Sequence, residues 1–252
     1  MATQRLYRKN LRAYEVDAQS DTRGDHESHV QDLQAQSRRE AYLVLQSVRR
    51  AYSPRLRTND MLRIREEGRK MTQRLYRKNL RAWYAQSTDD ERAEGLDWYP
   101  SARREVARIA CDYRLPNRMV AHVIAALSPR NKWERNLADA EAFVAAFLEN
   151  RPMPSANTFS SNRRSAWRVL HENAEATGRK VSSFAANLTG DDDTLTVDTW
   201  TIRAATGGRV DTVQNLTEYR EVARAYVAVA RELGLTPASL QAIIWVTIRN
   251  AN

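Results

Sequence analysis

The chain is poor in the residues that staple, punctuate or metallate a small protein. A single cysteine in 252 residues, Cys111, excludes a disulfide framework, a cysteine-ligated zinc site and a cysteine-ligated iron–sulfur cluster. Eight glycines and seven prolines exclude collagen-like and linker-like chains. The four histidines, His26, His29, His122 and His171, form no pair at metal-ligand spacing beyond residue 70. His122, set in an apolar run, reads as a hydrogen-bonded core or surface histidine. No serine occupies a nucleophile elbow and no glycine-rich loop follows a strand, so no cofactor and no metal are expected. The longest apolar runs, 119–127 and 240–248, fall well short of the roughly 20 residues of a membrane span. The Arg-rich first residues lack the apolar core of a signal peptide. The expectation is a soluble, cytoplasmic protein with no membrane partner.

Arginine and helical periodicity are what the chain has in plenty. A net charge of +9 and a pI near 9.9, carried mostly by Arg, suit a polyanionic partner, because the planar guanidinium fork matches phosphate. No helix pairs a cleanly basic face with a bulky apolar one, which favours nucleic acid over a membrane surface.

The segment Thr3–Ala13 recurs unchanged at Thr72–Ala82. Two copies do not make a solenoid. They suggest a partial duplication, or an upstream extension (1–70) of a core that begins at Met71 (71–252). The extension reads as helix in pieces, 4–16, 29–52 and 59 onward. Leu33, Tyr42, Leu45, Val48 and Tyr52 make a stripe suited to docking or oligomerisation.

From Met71 the periodicity is almost wholly helical. Thr88 with Asp89, Asp90 and Glu91 marks a capped helix start, and Pro100 a further start before 101–113. Pro116 opens and Pro129 stops a helix with Met119, Val120, Val123, Ile124 and Leu127 on its buried stripe. Helices over 132–149, 160–176 and 178–188 follow. A turn cluster, 190–193, leads to a short extended stretch, 194–197. Asp198 caps 199–206, which Gly207-Gly208 ends; Thr217 caps a helix to Leu233, and Thr236-Pro237 opens the last. The fold class is all-α.

The chemistry-bearing stretch is Gly178-Arg179-Lys180, then Phe184, Asn187, Gly190, Val197-Asp198-Thr199-Trp200 and Arg203. It resembles the helix-hairpin-helix DNA glycosylase superfamily, whose bifunctional members carry Gly-x-Lys-Thr and then Val-Asp-Thr-His and Arg. Lys180 and Asp198 stand eighteen positions apart, as in that family. The Val123–Ser128 run followed by Asn136 is similar to its early helix. The departures are Ala176 for the first hairpin glycine, Val181 for threonine and Trp200 for histidine. Trp98-Tyr99-Pro100, Leu127-Ser128-Pro129, Trp133, Asn136, Gln241, Trp245 and Arg249 are also similar to uncharacterised phage proteins. Their relatives include alpha-glutamyl/putrescinyl thymine pyrophosphorylases, which implies the cytoplasm of a bacterial host.

The resemblance implies a two-lobed helical fold and double-stranded DNA with a modified base as partner. It casts Asp198 as the essential carboxylate and Lys180 as nucleophile or phosphate contact. Arg130, Asn131, Lys132, Gly178, Arg179 and Arg203 would hold the DNA, and Trp133, Asn136, Gln241, Trp245 and Arg249 would line a base pocket. A carboxylate beside the sugar stabilises the positive charge that grows as an N-glycosidic bond breaks; the same placement suits an ordinary helix cap. Lys180 would attack as a neutral amine, or grip phosphate as a solvated cation. Processing of hypermodified pyrimidines without base release, and modified-base recognition without catalysis, are the alternatives.

Overall fold

The computed structural model describes residues 58–251 except 209 and 214. The first copy of the repeat and the predicted helices over 4–16 and 29–52 lie outside the described residues. What is described is all-helical: α1 (Thr58–Gln86), α2 (Asp89–Tyr113), α3 (Asn117–Leu127), α4 (Trp133–Leu148), α5 (Ser160–Glu172), α6 (Arg179–Leu188), α7 (Thr199–Thr206), α8 (Leu216–Leu233) and α9 (Pro237–Ala251). Lys70–Ala251 form one compact unit. Among the described residues no helix is long and apolar enough to cross a membrane.

Three local expectations are corrected. α2 starts at the Thr88 capping box with Glu91 and runs without a break through Pro100, so one helix replaces the expected two. α8 is capped by Asn215, whose side chain accepts from Glu218 N, and not by Thr217. α5 ends at Glu172, with Asn173 in the left-handed conformation, and not at residue 176. Residues 194–197 are the expected short stretch outside the helices and join no strand. Their backbone is paired instead by side chains, Thr194 O with Asn187 Nδ2 at 2.7 Å and Thr196 O with Gln241 Nε2 at 2.6 Å.

Two apolar clusters fill the unit. In the first, α3 is buried along almost its whole length and is packed by α2, α4, α5 and α6, with Ile109, Phe143, Val169 and Leu188 filling between them. The second gathers Leu80 and Trp83 of α1, Ile202 of α7, Tyr226 and Val229 of α8 and Leu240, Ile244 and Ile248 of α9. α9 serves both, because Ala238 and Ala242 belong to the first cluster. α9 also crosses α2 at Gly95, where a Cβ would meet Ile243 Cα at 2.5 Å. The second copy of the repeat is part of this packing: Leu80 is buried, Asn79 Nδ2 donates to Ala205 O at 2.8 Å, and Gln73 Nε2 donates to Glu221 O at 2.7 Å.

Candidate functional site

The connection between α5 and α6, the segment expected to be the hairpin, comes first in the chain. α5 ends at Asn173 in the left-handed conformation, and residues 174–178 lead to Gly178, at φ 110°, which caps α6 without a side-chain bond. A residue with a Cβ has room at Gly178 but is strained at that φ. Ala176 faces the other way, its methyl in the core and its N–H donating to His122 Nδ1 at 3.1 Å. His122 is therefore a buried acceptor that pins the hairpin to α3, and burial holds its pKa below the usual histidine value. Arg179 is exposed, its guanidinium 5.6 Å from the Tyr219 ring centroid. Lys180, half-buried, stands in the first turn of α6.

Asn187, fully buried, organises the turn between α6 and α7. Its Nδ2 donates to Asp191 O and Thr194 O, and its Oδ1 accepts from Thr196 Oγ1 at 2.7 Å. Asp191 folds back on Thr194 N and Asp193 N, and the Thr194 hydroxyl bond holds its carboxyl below the ordinary range. The chain thus reaches Asp198 along a fixed path.

Asp198 caps α7. Its Oδ1 accepts from Thr201 N and from Thr201 Oγ1, each at 2.8 Å, and among the described residues Oδ2 takes no hydrogen bond. Gln241 Nε2 donates to Thr201 Oγ1 at 3.1 Å, so the single hydroxyl proton of Thr201 is free to point at the carboxylate, which is nearer than Thr196 O at 3.2 Å. Tyr99 OH donates to Gln241 Oε1 at 3.4 Å. Burial, with the Asp198 charge adding to it, raises the pKa of both Tyr99 and Tyr226, so the phenols beneath the carboxylate are neutral.

Asp198, Trp200, Thr201, Tyr226, Gln241 and Trp245, with Ile244 and Ile248, line a small hollow, open to solvent, with room for about one water. A nucleobase is far larger than a water, so it enters only if a wall side chain moves. Two of the walls are indoles. Trp200 is 37% exposed, with Arg203 5.2 Å from its ring centroid, and Trp245 lies under Arg249 at 4.9 Å. Trp98 packs on Trp245 (5.9 Å), Trp133 (5.5 Å) and Phe184 (6.2 Å), so an aromatic row runs from the first apolar cluster to the hollow.

Of the residues singled out from sequence, the hollow brings together Asp198, Gln241 and Trp245. Arg249 does not line it: the guanidinium stacks on Trp245 and pairs with Glu94 at 2.5 Å. Trp133 does not line it: the ring packs on Trp98, which packs in turn on Trp245. Asn136 is corrected: it is 2% exposed, and its Nδ2 donates to Ile124 O at 3.1 Å, so the side chain closes the end of α3 instead of facing a base. Arg203 is likewise engaged, in a two-pronged pair with Asp211 at 2.6 and 2.9 Å, and this pair holds the Asp211 carboxyl below its ordinary range. Lys180 does not line the hollow either. Asn131 is turned inward to Asp139, while Arg130 and Lys132 are exposed. Arg130, Lys132, Arg179 and Lys180 make no ion pair among the described residues. Thr201, Tyr99, Tyr226 and Trp98 were not foreseen as site residues. The signal for Thr201 was its place three residues after the cap, where a hydroxyl reaches back to the cap carboxylate.

No group of three or more His, Cys, Asp and Glu side chains suited to a metal ion occurs among the described residues. No curated protein and no solved structure matches the chain. A family model does match, over residues 63–252, and it embraces the hairpin, the Asp198 cap and the aromatic row alike: the chain belongs to the family of unknown function DUF7178.

Proposed function

We propose that this protein is a DNA glycosylase-like enzyme, two-lobed about the hollow and bearing α5–α6 as its helix-hairpin-helix. It flips a modified or damaged base out of double-stranded DNA and breaks the N-glycosidic bond. The observation that carries this reading is the state of Asp198, whose one oxygen is fixed by Thr201 while the other is left for a ligand beside two indoles. A cap needs only the first oxygen.

In the reaction the C1′–N bond breaks, its electron pair leaves with the base, and positive charge develops on the sugar. Asp198 Oδ2 stabilises that charge, held in place by Thr201 and Gln241 so that no reorganisation is needed. Water adds at C1′ and the base takes up a proton. Trp245 and Trp200 offer faces for stacking an extruded base. Lys180 grips phosphate beside the free N–H groups at the start of α6, together with Arg179; its position outside the hollow favours this over attack on C1′.

The test is incubation of wild-type, Asp198→Asn and Lys180→Ala protein with phage DNA and with duplexes carrying damaged or modified pyrimidines, followed by mass spectrometry of free bases and intact nucleosides. Free base from the wild type and none from Asp198→Asn is expected. An altered base in intact DNA would replace excision by base processing, and unchanged DNA with tight binding would replace both by recognition.

A further inference from the structure

The loop after α3 is held from every side, and one buried carboxylate stands at the centre. Each of the last four carbonyls of α3 receives a side-chain donor: Ile124 O from Asn136 Nδ2, Ala125 O from Ser128 Oγ, Ala126 O from Asn162 Nδ2, and Leu127 O from Asn131 Nδ2 at 3.5 Å. Asp139, 4% exposed, sits in α4. Its Oδ1 accepts from Arg135 Nε at 3.0 Å, and its Oδ2 accepts from Asn131 Nδ2 at 2.9 Å and from Asn157 N at 3.2 Å. Thr158 Oγ1 donates to Pro129 O at 2.8 Å. Asp139 thereby joins the loop 128–132, α4 and the segment before α5. Asn131 Oδ1 is buried without a partner, so the firm bond that fixes this side chain is the one to Asp139.

On the outer side of the brace Arg130 adopts φ 62°, a left-handed conformation that an arginine keeps only when its surroundings impose it. Its guanidinium lies 4.7 Å from the centroid of Phe159, which is 47% exposed and follows Thr158 directly. A cation without an acidic partner among the described residues, stacked on an open ring, presents a phosphate contact and a stacking face together.

We infer that Asp139 is a positioning residue that holds Arg130 and Phe159 as one preformed contact for a DNA strand; this rests on the reading proposed above. Asp139→Asn keeps the volume but removes one acceptor, and whichever way the amide lies, its NH₂ faces a donor, either Arg135 or the Asn131 and Asn157 pair. Amide hydrogen exchange in the full chain without DNA tests the brace: residues 130–132 and 157–159 should exchange about tenfold faster or more while the amides of α3 keep their protection. Thr158→Val, which removes a bond from the same brace with less burial at stake, should act in the same direction. Equilibrium binding to an unmodified duplex tests the use of the brace. Arg130→Ala and Asp139→Asn should each weaken it by about tenfold, and the double variant no more than either single one. Unchanged exchange in both brace variants overturns the positioning role. Losses that add in the double variant overturn its action through Arg130. Absence of DNA binding by the wild type overturns the functional reading itself, and with it the contact, independently of the exchange result.

Discussion

Asp198 is both a cap and, in the proposed reaction, the essential carboxylate, and one substitution separates the two. Asparagine caps helices about as well as aspartate, and its Oδ1 accepts from Thr201 N as the carboxylate does. Asp198→Asn should therefore cost about 1 kcal/mol of stability or less, by denaturant titration, while base release falls by about 10²-fold or more. Base release unchanged in Asp198→Asn, with stability lost only in Asp198→Ala, would leave the residue a cap. His122 gives a second prediction at this scale. Its folded pKa lies below the unfolded value of about 6.5, so the unfolded chain binds the extra proton first. The stability that neutral His122 contributes is present above about pH 6.5 and is lost as pH falls through the lower folded value. Protonation also turns Nδ1 from the acceptor of Ala176 N–H into a donor, which releases the hairpin from α3. His122→Gln should flatten the part of the stability curve that lies below pH 6.5, by thermal unfolding across pH 5 to 8.

At the scale of elements, the α2–α9 crossing depends on Gly95, where an added methyl meets Ile243 backbone as well as its side chain. Gly95→Ala should destabilise the protein by about 1–3 kcal/mol, despite alanine's better helix propensity, and a neutral or stabilising result in chemical denaturation would show that the helices separate at no cost. That crossing was illegible in the sequence, since a lone glycine in an acid-rich helix gives no sign of what lies across from it. Helices were legible wherever apolar spacing and a cap agreed, as at Thr88 and Asp198. Pro100 misled because proline favours the first turn of a helix and disfavours its interior, yet α2 carries it, exposed, without a break. Residues 194–197, three of them β-branched, were legible as an extended stretch, but the pairing of their backbone was not, because Gln241 lies far off in the chain and gives no local sign. The same long-range bonds hid Thr201 and Tyr99 from the sequence reading. They also made Asn136, polar and near a helix start, look like a site residue when it closes α3.

For the whole molecule, net charge says less than which charges remain unmatched. Arg81, Arg103, Arg108 and Arg203 each pair with carboxylates on the unit's own surface, so they add little attraction for a polyanion. Arg130, Lys132, Arg179 and Lys180 make no such pair among the described residues, and they lie on the loop after α3 and at the start of α6. If these four displace counterions from a duplex, the logarithm of the association constant should fall with the logarithm of salt at a slope of roughly −3 to −4 from them alone. Removing one phosphate contact lowers such a slope by about 1 and weakens binding alike for every sequence. Lys180→Ala should do both, and borohydride should trap no adduct on the wild type. A trapped adduct that vanishes in Lys180→Ala, with the salt slope unchanged, would instead bring the lysine into the hollow during turnover and make it the nucleophile. Since Lys180 does not line the Asp198 hollow in the free protein, that outcome would require the lysine side chain or the extruded sugar to come within reach of the other when DNA binds.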